Sequence, residues 1–264
     1  MVRHEAAEAL GALGDVGSLG LLRERLGDGG EKGVVRETCE IAVGRIEWAR
    51  GKGREGERLR ERFVPHCLIT IGMEWVLMRG SDFTSVDPAP PLALNERACS
   101  IDEMREQLLD LQLPLFDRYR AMFALRDLAS PPDLPTAVLA VKALAAGFVD
   151  PSALFRHEIA FVFGQLSHPA SIPSLKTTLA NRGEESMVRH EAAEALGSLG
   201  EEEGVEEFLR NFLQDEERVV RESVVVALDM AEFERGKERE YAALPDEKGW
   251  PGEMGVSPWV AGKG

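Results

Sequence analysis

The sequence predicts an all-α protein, an α-solenoid of helical hairpins arranged in two duplicated halves. Residues 1–14 (MVRHEAAEALGALG) return as residues 187–200 (MVRHEAAEALGSLG), and the copies differ only at Ala12 and Ser198. Aromatic residues make up only 6% of the chain, and Ala, Leu, Glu and Arg are abundant, which favours helices over strands. A helical unit also recurs every 32 to 36 residues, apart from one long gap between Arg36 and Arg120. That period is typical of stacked helix pairs.

Each repeat is predicted to contain two helices. The second helix has apolar residues at helical spacing, as at Val188, Ala192 and Leu196. A shorter helical segment precedes it, as at 171–180, and Gly or Pro marks the junctions. One hairpin cannot bury its apolar face alone, so stacked neighbours form a continuous core. The arginines that align the units are Arg3, Arg36, Arg120, Arg156, Arg189 and Arg221.

The repeats predict four regions. Residues 1–50 are an N-terminal half with two repeats, incomplete because symmetry expects two more repeats before Met1. Residues 51–113 are a linker, and 114–235 are a C-terminal half with four repeats. The tail, 236–264, is expected to be mostly disordered. Inside the linker, 63–80 matches no repeat, which leaves three readings open: a packing insert, an interaction segment or translated non-coding sequence.

The charge balance constrains the partners. The net charge is −15 and the isoelectric point is about 4.9. Such a surface repels phosphates, so we expect no nucleic-acid partner. It either attracts a basic partner or only keeps the protein in solution. The most apolar stretch is interrupted by Pro65, His66 and Glu74, so no membrane span is expected.

The three cysteines, Cys39, Cys67 and Cys99, are odd in number and lack CxxC spacing. That pattern argues against a disulfide framework or a zinc ribbon and fits a reducing compartment. The N-terminus opens on a helical pattern without signal-peptide architecture. We therefore expect a cytoplasmic protein, with the nucleus as the alternative compartment.

Three adjacent His-Glu pairs suggest a metal site. They are His4-Glu5, His157-Glu158 and His190-Glu191. The last two pairs occupy the same phase of neighbouring repeats, whose helices pack about 10 Å apart. Their side chains can therefore converge on one ion. Two histidines and one carboxylate, with open positions left over, are ligands suited to non-haem iron.

The alternative is that each pair is an ordinary surface salt-bridge feature, as a single Arg-His-Glu on a helix usually is. Units without histidine show that the scaffold does not require it, and three pairs in register favour a metal site. The arginine before each histidine recurs in units without histidine, so we interpret it as structural. His66 and His168 fall outside the pattern and are predicted to be incidental.

Together these residues resemble deoxyhypusine hydroxylase, a family of HEAT-repeat di-iron monooxygenases. The resemblance rests on residues 1–14, 119–127 (YRAMFALRD), 155–166 (FRHEIAFVFGQL) and 187–200, and on the linker 81–92 (SDFTSVDPAPPL). The paired residues in register are specific, whereas the repeats alone are common. The family pattern has four His-Glu pairs and this sequence has three. The fourth is expected about 33 residues before His4.

The resemblance implies hydroxylation of deoxyhypusine in translation initiation factor 5A, with two Fe(2+) ions and dioxygen as co-substrate. It implies that His157, His190 and Glu191 hold one iron, and that His4 and Glu5 belong to the other. Glu158 is implied to be a weaker ligand or the catalytic group that meets the cationic amine of the substrate. The alternatives are a non-catalytic HEAT-repeat scaffold and an inactive variant that binds the factor without hydroxylating it.

Overall fold

The computed structural model describes residues 2–52, 83, 86–92 and 100–234, and within those ranges every regular element is helical. The all-α prediction is therefore confirmed. The insert 63–80, the tail 236–264 and His66 lie outside the described residues, and the predicted domain boundaries stay a prediction. The α-helices are α1 Val2–Leu13, α2 Leu19–Gly27, α3 Gly33–Glu47, α4 Ile101–Leu109, α5 Leu115–Ala129, α6 Ala137–Ala145, α7 Ala153–Leu166, α8 Ile172–Ala180, α9 Ser186–Gly197, α10 Val205–Arg210 and α11 Arg218–Glu234.

The odd-numbered helices form one continuous inner row. Each of them packs against the next, from α1 through α3, α5, α7 and α9 to α11. The even-numbered helices pack outside this row, as α2 does on α3 and α8 on α9. The core runs along the contact between the two layers, with fully buried side chains such as Phe123, Phe155 and Phe163. This two-layer stack is the predicted α-solenoid.

Small residues set the close approach of inner helices. A Cβ on Gly11 would lie 2.9 Å from the Cα of Ala42, and one on Gly197 would lie 2.7 Å from the Cα of Ala227. Gly11 and Gly197 occupy the same place in the duplicated segment. The duplication therefore preserved the helix-to-helix distance as well as the His-Glu pair.

Arginines that are buried or partly buried hold consecutive repeats together. Arg189 donates to Asp215 from both terminal nitrogens, at 2.9 and 2.6 Å, and Arg156 donates to Glu184 from Nε and one terminal nitrogen, at 2.8 and 2.6 Å. Each carboxylate lies just before the next inner helix. The prediction that the recurrent arginine is structural is confirmed for these two positions.

The alignment of the α5 unit on Arg120 is wrong by two residues. Arg118 donates from Nε to the Leu108 carbonyl at 3.0 Å, just as Arg189 donates to the Leu179 carbonyl at 2.9 Å. Arg118 also pairs with a carboxylate before the next inner helix. Arg118, not Arg120, is therefore the residue of α5 that corresponds to Arg189 of α9.

Part of the linker is fixed against α5. Asp87 accepts from both terminal nitrogens of the buried Arg126, at 2.7 and 2.8 Å, and the Arg126 guanidinium lies 4.2 Å above the Phe83 ring. The Leu92 amide donates to the Arg120 carbonyl. The segment 86–92 therefore packs along α5. Within the described ranges, no helix is both long and apolar enough to cross a bilayer.

Candidate metal centre

Two of the His-Glu pairs meet between α7 and α9. The ring centroids of His157 and His190 are 5.5 Å apart, and His157 Nε2 lies 3.4 Å from a Glu191 carboxylate oxygen. One ligand atom from each of His157, His190 and Glu191 falls within 4.8 Å of the others. Equivalent positions on neighbouring helices bring them together, as the repeat pattern predicted. We call these three residues the α7–α9 cluster.

The third pair forms a second cluster on α1. His4 is buried, and its Nε2 lies 3.8 Å from a carboxylate oxygen of the exposed Glu5. Glu8, one turn further along α1, completes a set of three ligand atoms within 4.8 Å. The His4 ring is 6.1 Å from the His157 ring, so the two clusters are neighbours. We call His4, Glu5 and Glu8 the α1 cluster.

Two unpaired buried nitrogens lie in the α7–α9 cluster. Among the described side chains, the buried nitrogens without a hydrogen-bond partner are Trp48 Nε1, His157 Nδ1 and His190 Nε2. Leaving such a group unpaired costs about 1–3 kcal/mol. Two of the three belong to one cluster that also offers a carboxylate. This donor set, two imidazoles and one carboxylate, fits a divalent transition-metal ion.

Burial affects the protonation of the α1 cluster. It lowers the pKa of His4, mainly through desolvation, and thereby favours the neutral imidazole that a metal requires. It raises the pKa of the Glu8 carboxyl, with Glu5 as the next contributor. A divalent cation would offset this clustering of carboxylates.

Glu158 belongs to neither set of three converging ligand atoms. It is buried, and it lines a cavity together with His4, Glu8, Tyr119 and Pro88. Desolvation raises its pKa well above the ordinary value, and the nearby Glu8 and Glu191 carboxylates add to the shift. A cation that entered the cavity would stabilise the ionised form of this carboxyl group.

Other polar residues around the clusters were not predicted from the sequence. Thr38 contacts His4, and Glu194 and Ser223 both contact His190. One signal was present, because Glu8 and Glu194 both follow a histidine by four residues in the duplicated segment. The hydroxyl residues could have been found only by aligning the histidine-free units with the His-Glu units.

His168 is placed apart from both clusters. Its Nδ1 accepts a hydrogen bond from the Ala170 amide at 3.0 Å, at the start of a short 3-10 helix. The prediction that it is incidental to the metal site agrees with this capping contact.

Comparison with known proteins finds the same repeats. A model of HEAT repeats matches residues 140–229, and a model of the PBS lyase HEAT-like repeat matches residues 2–28. These matches cover the inner helices that carry all three His-Glu pairs.

Whole-chain comparison gives a more specific result. The chain is 63% identical over 249 residues to a deoxyhypusine hydroxylase of Chaetomium globosum, covering 94% of this chain and 67% of that protein. It is 64% identical to the deoxyhypusine hydroxylase of Phaeosphaeria nodorum, covering 93% of this chain and 69% of that protein. The solved structure of human deoxyhypusine hydroxylase in complex with glycerol is similar, with a TM-score of 0.70 and 43% identity, covering 88% of this chain and 68% of that one. The chain belongs to the deoxyhypusine hydroxylase family.

Proposed function

We propose that this chain hydroxylates the deoxyhypusine side chain of translation initiation factor 5A, using dioxygen and Fe(2+) held by its His-Glu pairs. Relatives about 60% identical to it carry the name of that enzyme. The observation that supports the chemistry is the α7–α9 cluster, whose ligand atoms fall within 4.8 Å while His190 Nε2 is buried without a partner. A non-catalytic scaffold would give no reason for that convergence.

The proposed ligands follow the two clusters. His157, His190 and Glu191 would hold one iron, and His4 and Glu5 would contribute to a second, giving two ions in the complete site. Glu8 is a further candidate ligand on the α1 side, because its carboxylate lies within 4.8 Å of the ligand atoms of His4 and Glu5. Iron in such a site, when bound, supplies the redox chemistry toward dioxygen that protein side chains lack.

The protein groups then have to bind and orient the substrate. Deoxyhypusine carries a secondary and a primary amine, both cationic near neutral pH. Glu158, together with Glu8, lines the cavity beside His4. An ammonium group there would stabilise the ionised Glu158 carboxylate, whose burial otherwise favours the neutral acid. We therefore assign Glu158 to the substrate amine, not to the metal.

The acidic character of the chain supports a cationic protein substrate. Its net charge of −15 attracts basic partners at a distance and repels nucleic acids. The free, buried Cys39 is consistent with a reducing compartment, and we place the reaction in the cytoplasm, with the nucleus as the alternative.

The test is incorporation of oxygen into the substrate. The Fe(II)-loaded chain, incubated with deoxyhypusine-containing factor 5A, a chemical reductant and ¹⁸O₂, should add one labelled oxygen atom to the modified lysine, with the second oxygen atom reduced to water. Glu158→Gln should lower kcat/KM by about 30-fold or more while the iron content stays unchanged, because losing a buried charged partner costs at least about 2 kcal/mol. The control is Glu201→Gln, a change at an exposed position. Binding of the factor without oxygen incorporation would instead support the non-catalytic alternative.

A further inference from the structure

Two hydroxyl groups stand at matching places beside the histidines. The inner helices α3 and α11 have no His-Glu pair. Where α7 and α9 carry the glutamate of a pair, they carry Thr38 and Ser223. Thr38 Oγ1 lies 2.8 Å from Nδ1 of His4, and Ser223 Oγ lies 3.5 Å from Nδ1 of His190. Each hydroxyl thus reaches the histidine of the inner helix before its own, at sequence separations of 34 and 33 residues.

The direction of the first hydrogen bond follows from the single proton of each hydroxyl. Thr38 Oγ1 donates that proton to the Val34 carbonyl at 2.8 Å. Only its lone pairs then remain for His4, so it must accept from His4 Nδ1–H.

The same reasoning applies to His190. Ser223 Oγ donates to a Glu194 carboxylate oxygen at 2.7 Å, so it too can only accept from the ring. The same Glu194 oxygen lies 3.4 Å from His190 Nδ1, and an ionised carboxylate accepts only. Both partners of His190 therefore require a proton on Nδ1.

A neutral imidazole with its proton on Nδ1 presents a bare lone pair at Nε2. His190 Nε2 is buried without a hydrogen-bond partner, and His4 Nε2 is the ring nitrogen that faces Glu5. Metal-bound histidines usually donate their other N–H to a protein acceptor, which fixes both the tautomer and the ring orientation. His4 and His190, one in each duplicated segment, both have this arrangement of contacts.

We propose that Thr38 and Ser223 are positioning residues that hold His4 and His190 as Nδ1–H tautomers, with each Nε2 directed to a metal ion. This inference rests on the proposed metal-dependent function. Ser223 acts together with Glu194, and Thr38 acts through its fixed bond to Val34.

His157 provides an internal contrast. The next inner helix offers it Glu191 instead of a hydroxyl, and Glu191 faces Nε2 at 3.4 Å. Its Nδ1 is buried without a partner. A hydroxyl group therefore contacts Nδ1 of His4 and of His190, whereas Nδ1 of His157 has no such contact.

The first measurement reads the tautomers directly, without metal. In the metal-free chain with ¹⁵N-labelled histidine, NMR should show the Nδ1–H tautomer at His4 and His190. Thr38→Val should shift His4, and Ser223→Ala should shift His190, toward the Nε2–H form, and Thr38→Ser should restore the wild-type pattern. Nε2–H tautomers in the wild-type chain would overturn the proposal.

The second measurement titrates the metal-free full chain with Co(II) alone. Thr38→Val and Ser223→Ala should each weaken binding about 10- to 100-fold, and the variants that keep a hydroxyl, Thr38→Ser and Ser223→Thr, should restore it. Thr177→Val is the control, because Thr177 makes the same bond to a carbonyl four residues back, at 2.8 Å, but on the exposed side of α8.

The outcomes separate this proposal from the function on which it rests. Wild-type affinity in Thr38→Val and Ser223→Ala, or equal weakening in Thr177→Val, would overturn the positioning role. If the wild-type chain binds no Co(II) at all, the proposed function fails, and the tautomer measurement still decides how the histidines are held.

Discussion

Two adjacent carboxylates in one loop should differ sharply in their contribution to stability. Asp215 pairs with Arg189, and both side chains are only 3% exposed. Glu216 pairs with Arg182 at 3.1 Å, with side chains 86% and 72% exposed. The same chemical pairing thus occurs in two different environments one residue apart.

The magnitudes follow from burial. Asp215→Ala leaves the buried Arg189 guanidinium without its carboxylate and also removes the acceptor for the Glu217 amide. Removing one partner of a buried pair costs about 3–5 kcal/mol, whereas an exposed pair contributes about 0–1 kcal/mol. Against a total stability of about 5–15 kcal/mol, the first change is a large fraction and the second is small.

Urea unfolding followed by circular dichroism at equal protein concentration is the assay. Asp215→Ala should lower the midpoint strongly, and Glu216→Ala should leave it nearly unchanged. Equal losses in the two variants would refute the claim that the buried arginines hold consecutive repeats together.

Two further predictions concern the same scaffold. The hydrogen bond from Arg189 holds the pKa of Asp215 in the folded protein below its value in the unfolded chain, which is about 3.9. The contribution of Asp215 to the free energy of unfolding is therefore complete above the unfolded pKa and is lost as the pH falls through the folded pKa. The difference in unfolding free energy between wild type and Asp215→Asn should therefore shrink on acidification, and a difference that grows would contradict the sign. Gly197→Ala should lower the thermal midpoint, because the new Cβ would lie 2.7 Å from the Cα of Ala227. Overpacking of this kind costs about 1–3 kcal/mol, and the higher helix propensity of Ala offsets about 1 kcal/mol of that cost. Gly20→Ala, with open space around it, should not lower the midpoint, and equal behaviour of the two variants would count against the close-approach argument.

The repeat pattern predicted much of the architecture. The period and the arginine phase indicated the inner helices, and equivalent positions on adjacent helices brought His157 to His190. This succeeded because a solenoid relates neighbours by a nearly constant step, so sequence register translates directly into spatial proximity.

The register of α5 could not be read from the pattern alone. Two arginines, Arg118 and Arg120, lie two residues apart, and both fit a helix. The choice depends on tertiary partners: Arg118 reaches the Leu108 carbonyl, while Arg120 reaches the linker carbonyl of Pro90. Leu108 lies ten residues before Arg118, as Leu179 does before Arg189, whereas Pro90 lies 30 residues before Arg120, and only the structure shows which arginine makes which contact.

The relation between the two clusters was also beyond the sequence. The approach of His4 to His157 depends on how α3 packs on α5 and α7, across a linker that interrupts the repeat period. The hydroxyls at Thr38 and Ser223 have a role only in relation to a neighbouring helix. Single-residue patterns do not encode such relations.

We propose that the His-Glu pairs on the inner helices hold iron, and the iron content of the protein tests this most directly. The chain, purified anaerobically and reconstituted with Fe(II), should bind iron, and His190→Ala should lose one equivalent while keeping its helical spectrum. His168→Asn, which can keep the cap on the Ala170 amide, should retain the full amount. Equal iron content in wild type, His190→Ala and His168→Asn would contradict the account.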